Sequence, residues 1–180
     1  MGLATEYQET HKWIDLLDSV KDIARKAGEI ILKIYGESDV GIRMKSDNTP
    51  VTRADLEANQ VITEGLISLN LGYPVLAEES EHLPLEQRQL WTRHWLVDPL
   101  DGTNEFIHKN GQVTVNIGLI EQNYPLLRLV YVPVTDTCYY GGKTIGAFCQ
   151  AGKEQSATMK ARKINQDNII VLGSRSYGNA

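Results

Sequence analysis

Apolar residues recur through the first fifth of the chain in steps of three and four: Ile14, Leu17, Val20, Ala24, Ala27, Ile31 and Ile34. That spacing puts them on one face of an α-helix, and Gly36 stands where such a helix would stop. Ala54, Ala58, Val61, Ile62, Leu66 and Leu69 repeat the pattern behind Thr52, a residue suited to a helix start, while Pro50 keeps the approach extended. The period then changes. Pro74-Val-Leu-Ala77 is a short apolar run that leads into Glu78, and Trp95-Leu-Val-Asp98 is one that ends in acid. Val113, Val115, Ile117 and Leu119 alternate with Thr114, Asn116 and Gly118, the two-residue period of a strand. Residues 126–134, 137–140 and 146–149 continue as β-rich runs, with Gly141-Gly142-Lys143 as a turn, and 169–172 is one more strand. Two helices followed by a strand block predict an α+β fold, an antiparallel sheet with both long helices packed on one face.

Charge and composition narrow the function. The 180 residues carry 18 basic and 23 acidic side chains, a formal charge of −5 at pH 7. A nucleic-acid partner is not expected, because binding phosphate backbones needs a basic face. No run approaches the roughly 18 apolar residues of a membrane span, and the first residues lack the apolar stretch of a secretory signal. Cys138 and Cys149 are too few for a disulfide scaffold and read as reduced, buried thiols of a cytoplasmic protein. Gly142-Lys143-Thr144 resembles the end of a phosphate-binding loop, but Thr137 occupies the place of its first glycine. The four histidines show no metal-ligand spacing.

The chemistry gathers in Trp95-Leu-Val-Asp-Pro-Leu-Asp-Gly-Thr-Asn-Glu-Phe106. Pro99 forces Asp98 into an extended backbone at a strand end, and Asp101 is expected in the turn that follows. Gly102 permits a tight backbone and Thr103 can open a short helix, whose first amides have no internal partner. Free amides suit a phosphate, and clustered carboxylates suit a hard divalent cation such as Mg2+; side by side they make a site for a metal-bridged phosphate ester. The plainer alternative is an acidic turn in which Asp98 caps a helix. Glu78 and Glu79 end the preceding run, as a solvated loop or as a further source of ligands. Thr52-x-x-Asp55 fits a capping box, which gives Asp55 a structural reading of its own.

WLVDPLDGTNEFIH resembles the first signature of the inositol monophosphatase-like family of Mg2+-dependent, lithium-sensitive phosphatases. Three more segments agree in the family's order: 45–55 (KSDNTPVTRAD), 76–79 (LAEE) and 111–117 (GQVTVNI). Within the family the sequence is most similar to the CysQ-type 3′(2′),5′-bisphosphate nucleotidases, although Asn104 stands where these tend to carry Lys. The resemblance implies the amino-terminal part of a layered α/β/α/β/α sugar-phosphatase fold. Residues 1–13 would be an extension, 14–165 a metal-binding phosphatase domain and 166–180 the start of a second domain. It also implies two or three Mg2+ ions, held by Glu78, Asp98, Asp101 and the Leu100 carbonyl, with Asp98 as the bridge. Asp55 would pair with Thr103 to orient the attacking water or hold a third ion; Glu79 is grouped with these two as catalytic. Gly102 and Thr103 would receive the phosphate. The implied substrate is a small nucleoside bisphosphate, with a sugar phosphate or an inactive remnant as alternatives. Localisation would be cytoplasmic or peripheral at the inner membrane face. The Trp-Asp motif of the family's second half does not occur in these 180 residues, so self-association and a weakened metal site are expected.

Overall fold

The first amphipathic run folds as α1 (Gly2–Tyr35), with Leu17, Val20, Ala24, Ala27, Ile31 and Ile34 buried. The computed structural model describes residues 2–81 and 83–163, with side chains from residue 11 onward. The strand expected at 169–172 lies outside the described residues. The helix begins well before Ile14, because the polar stretch ahead of it contains no residue that breaks a helix. Ile14 is itself 41% exposed, so the buried stripe starts at Leu17. After α1 come two short strands, β1 (Arg43–Met44) and β2 (Pro50–Val51), which form a hairpin that periodicity cannot reveal. Its turn is held by Asp47 Oδ1, which accepts the Thr49 N–H (3.0 Å) and hydroxyl (2.7 Å). The second helix, α2 (Arg53–Ser68), follows Thr52 and buries Ala54, Ala58, Ile62 and Leu66.

The remaining elements are β3 (Val75–Ala77), a single-turn α3 (Leu85–Arg88), β4 (Arg93–Asp101), α4 (Thr103–Ile107), β5 (Thr114–Glu121), β6 (Tyr124–Val132), a 3-10 turn at Pro133–Thr135, β7 (Thr137–Gly142), β8 (Gly146–Ala151) and β9 (Ala157–Thr158). Strands β3 to β9 form one seven-stranded sheet in sequence order. All neighbours are antiparallel except β3 and β4, which run parallel. Strands β4 to β9 form the antiparallel sheet expected from the sequence, and β3 joins its edge in parallel with β4. The segment 78–92 between them is long enough to return the chain to the same end, whereas a tight hairpin would have reversed it. Two corrections concern turns. Pro133 has no amide proton for a ladder, so β6 stops at Val132. Gly141 and Gly142 belong to β7, and the turn falls at 143–145.

Both long helices cover one face of the sheet. Trp95 and Val97 of β4, Val115, Ile117 and Leu119 of β5, and Leu127, Leu129 and Tyr131 of β6 are buried there in one cluster with α1 and α2. Among the described residues no helix covers the opposite face. Leu96 is 47% and Val130 37% exposed on it. With Leu76, Ile120 and Pro125 they line a shallow apolar recess of about 510 Å³ that ends at Glu78, Asp98 and Asn116. Among the described residues no helix is long and apolar enough to cross a membrane. Both cysteines are free thiols, Cys138 buried and Cys149 partly so.

Candidate functional site

A single irregularity in the β4–β5 ladder builds the acidic cluster. Asp98 pairs with Asn116 and Asp101 with Thr114, so three steps along β4 match two along β5. In a regular strand residues three apart point to opposite faces. The extra residue of this bulge brings Asp101 back to the face that carries Asp98. Pro99, which cannot donate to the ladder, sits inside the bulge. Asp101 is therefore the last residue of β4, and the expected turn placement is corrected: the proline displaces the ladder without ending it.

Around this bulge the chain adds groups from four directions. Glu78 follows β3 directly, and its N–H donates to Val97 O (3.1 Å), which places it beside Asp98. Asp98 Oδ1 is buried and has no hydrogen-bond partner among the described residues. Burial, reinforced by Glu78 and Asp101, pushes the Asp98 carboxyl up to about 7 despite a backbone hydrogen bond at Leu100. Leu100 and Asp101 line a recess of about 310 Å³ with Glu78, Asp98, Gly102 and Thr103.

Asp55 reconciles its two sequence readings. Its Oδ2 accepts the Thr52 N–H (2.7 Å) and hydroxyl (2.5 Å), closing the capping box of α2. Its Oδ1 accepts the Thr103 hydroxyl at 2.9 Å. One oxygen starts the helix and the other reaches the site, 48 residues along the chain. Gly102 precedes Thr103 with φ +94°, and a Cβ there would lie 2.6 Å from Gln112 O. Gly102→Ala is therefore expected to cost about 1–2 kcal/mol from the left-handed backbone alone, with the collision in addition. Thermal denaturation should read this as a fall of several degrees; an unchanged melt would show that the turn relaxes freely.

Lys45 is a neighbour of the acids that local sequence patterns do not reveal. It reaches from the β1–β2 hairpin to Glu79 Oε1 (2.5 Å) and Glu78 Oε1 (3.2 Å). Burial opposes the lysine's charge, yet its hydrogen bonds to the two glutamates outweigh this and raise its pKa. Glu79, with a side chain only 8% exposed, is raised by burial even against Lys45. Nothing in local spacing points to a contact spanning more than thirty residues.

Asp98, Asp101 and Leu100 line one recess, and the unpartnered buried carboxylate oxygen among them suits a hard divalent cation. They do not enclose one. Among the described residues no group of three or more His, Cys, Asp or Glu side chains converges closely enough to hold a metal ion. Lys45 instead occupies the carboxylate oxygens of Glu78 and Glu79.

The chain is a helix-backed sheet carrying these acids at a β-bulge, and a family model matches it. The model described as the inositol monophosphatase family covers residues 14–179, and the chain belongs to that family. Among curated relatives, the chain is 44% identical over 161 residues to the 3′(2′),5′-bisphosphate nucleotidase CysQ of Aggregatibacter actinomycetemcomitans, covering 88% of this chain and 59% of that protein. It is 42% identical over 167 residues to the protein of the same name from Escherichia coli K12, covering 92% and 65%. Among solved structures, CysQ from Bacteroides thetaiotaomicron aligns with TM-score 0.68 and 35% identity, covering 82% of this chain and 58% of that one. The chain thus spans about three fifths of the length of the relatives it matches. The layered sugar-phosphatase fold implied by the resemblance is the fold of these neighbours.

Proposed function

We propose that this chain carries the metal-binding part of a Mg2+-dependent phosphomonoester hydrolase that removes the 3′-phosphate of adenosine 3′,5′-bisphosphate. The observation that carries the reading is the bulge: it turns Asp98 and Asp101 to one face, leaves Asp98 Oδ1 buried without a partner, and sets both beside Thr103. The substrate assignment rests on the nucleotidase names of the relatives. Glu78, Asp98, Asp101 and the Leu100 carbonyl would hold two or three Mg2+ ions, which when bound polarise a phosphoryl group and lower the pKa of water. The protein's own groups prepare the rest. The Thr103 hydroxyl donates its hydrogen bond to Asp55 Oδ1, so the lone pairs of its oxygen can receive a hydrogen bond from the attacking water. The amides of Gly102 and Thr103 open α4 and would receive the phosphate oxygens. Glu79, raised by burial, is a further proton acceptor at the edge of the site.

Two alternatives have observations of their own. An inositol or other sugar phosphatase is favoured by Asn104 at the position where nucleotidases tend to carry Lys. A metal- or phosphate-binding remnant without turnover is favoured by the unclosed ligand set among the described residues. Phosphate release from adenosine 3′,5′-bisphosphate and from inositol 1-phosphate, at millimolar Mg2+, separates all three. Faster release from the bisphosphate supports the proposal, faster release from inositol phosphate replaces it, and Mg2+ binding with no release from either supports the remnant.

Acidity gives a further test. In the unfolded chain Asp98 titrates near its ordinary value of about 3.9, and in the folded, cation-free chain at about 7. The native state therefore binds an extra proton between these values. The stability contributed by protonated Asp98 is present on the acid side and lost as pH rises through about 7. A cation replaces that proton, so the Mg2+-induced rise in melting temperature is expected to be larger at pH 8 than at pH 5.5. Equal shifts at the two pH values would remove Asp98 from the cation site.

A further inference from the structure

We infer that Asn116 is a positioning residue for the Asp101 carboxylate, itself aligned by the Thr114 hydroxyl; this deepens the metal-site reading above and rests on it. Thr114 and Asn116 lie two residues apart on β5, on the open face of the sheet. Thr114 Oγ1 donates to Asn116 Oδ1 at 3.3 Å, and Asn116 Nδ2 donates to Asp101 Oδ2 at 3.3 Å. An ionised carboxylate can only accept, so the amide must turn its NH2 toward Asp101; its oxygen is then left to face Thr114, whose hydroxyl can donate. The two bonds agree on one orientation of the amide.

The register strengthens the case. Asn116 lies directly opposite Asp98, while its side chain reaches diagonally to Asp101 across the bulge. It therefore stands between the two aspartates that the bulge turns to one face. Asp101 is exposed at the end of β4, where a carboxylate would otherwise rotate freely. Tethering Oδ2 leaves Oδ1 aimed in a restricted direction, and oriented carboxylates bind metal more tightly than free ones because less motion is lost. The fold does not need this contact. The core of β5 is Val115, Ile117 and Leu119 on the opposite face, under the helices.

Asn116→Leu removes the donor at similar volume, and Thr114→Val removes only the hydroxyl that aligns it. Calorimetric titration with Mg2+ is expected to give a dissociation constant about 10–100-fold weaker for Asn116→Leu, a smaller loss for Thr114→Val, and no further loss for the double variant, because Thr114 acts through Asn116. Melting without Mg2+ should stay at the wild-type value in all three. Unchanged Mg2+ affinity in Asn116→Leu, beside a wild type that binds, overturns this inference alone. A lowered metal-free melt with unchanged affinity in Thr114→Val overturns it in favour of a structural role. A wild-type chain blind to Mg2+ overturns the metal-site reading and this inference together.

Discussion

Asp98→Asn is expected to abolish the rise in melting temperature that millimolar Mg2+ gives the wild-type chain, and to lower Mg2+-dependent phosphate release by at least about 100-fold. Asp98 is the residue on which the acidic cluster turns. Its carboxylate is partly buried, its Oδ1 has no hydrogen-bond partner, and Glu78 and Asp101 both oppose its charge. A carboxylate whose charge is opposed by burial and like-charged neighbours, and one of whose oxygens has no partner, is one that a cation can satisfy. The same facts predict an effect of opposite sign without metal. The amide removes a charge that burial and like-charged neighbours resist, so the cation-free variant should melt at or above the wild-type temperature at pH 8. A merely structural aspartate would behave otherwise, because its loss would lower the melt whether or not Mg2+ was present.

The second large effect concerns the uncovered side of the sheet. Leu96 and Val130 are substantially exposed beside Leu76 and Ile120, in a recess that runs into the acidic cluster. Contiguous exposed apolar surface of this kind drives association. The chain is expected to self-associate at micromolar concentration, and Leu96→Lys with Val130→Lys to shift it toward monomer. Neither position is buried, so these charges should leave the melt nearly unchanged. Light scattering with a parallel phosphate-release assay reads both halves of the expectation: association that the lysines relieve, and turnover at least about 100-fold below that of the Escherichia coli relative if further ligands are required. A monodisperse wild-type monomer with ordinary turnover would mean that neither the open face nor the ligand set is incomplete.

What could be read from sequence followed the range of each signal. The two long helices were legible because one side of each is buried at helical spacing, and Thr52 with Asp55 marked the start of α2. Alternation along β5 was equally plain. The bulge was not, because it is a mismatch between two strands, and β4 carries only its own half of it. Pro99 signalled an interruption but could not tell a turn from a displaced ladder. The parallel pairing of β3 was hidden for a similar reason, since direction depends on the path of 78–92. The β1–β2 hairpin has strands too short to show a period, so Lys45 had no element to be placed on. The acids themselves were legible as a cluster, whereas the amide of Asn116 that touches Asp101 was not, because only pairing across strands brings them together.

Asp98, Asp101 and the Leu100 carbonyl are proposed to hold a divalent cation. Diffraction from crystals of the chain soaked in Mn2+, a Mg2+ surrogate with a usable anomalous signal, tests it most directly. An anomalous peak is expected about 2.1–2.3 Å from oxygens of Asp98 and Asp101 and from Leu100 O, with Lys45 displaced where Glu78 joins the site. Density absent from this bulge at millimolar Mn2+, or centred on other residues, would contradict it.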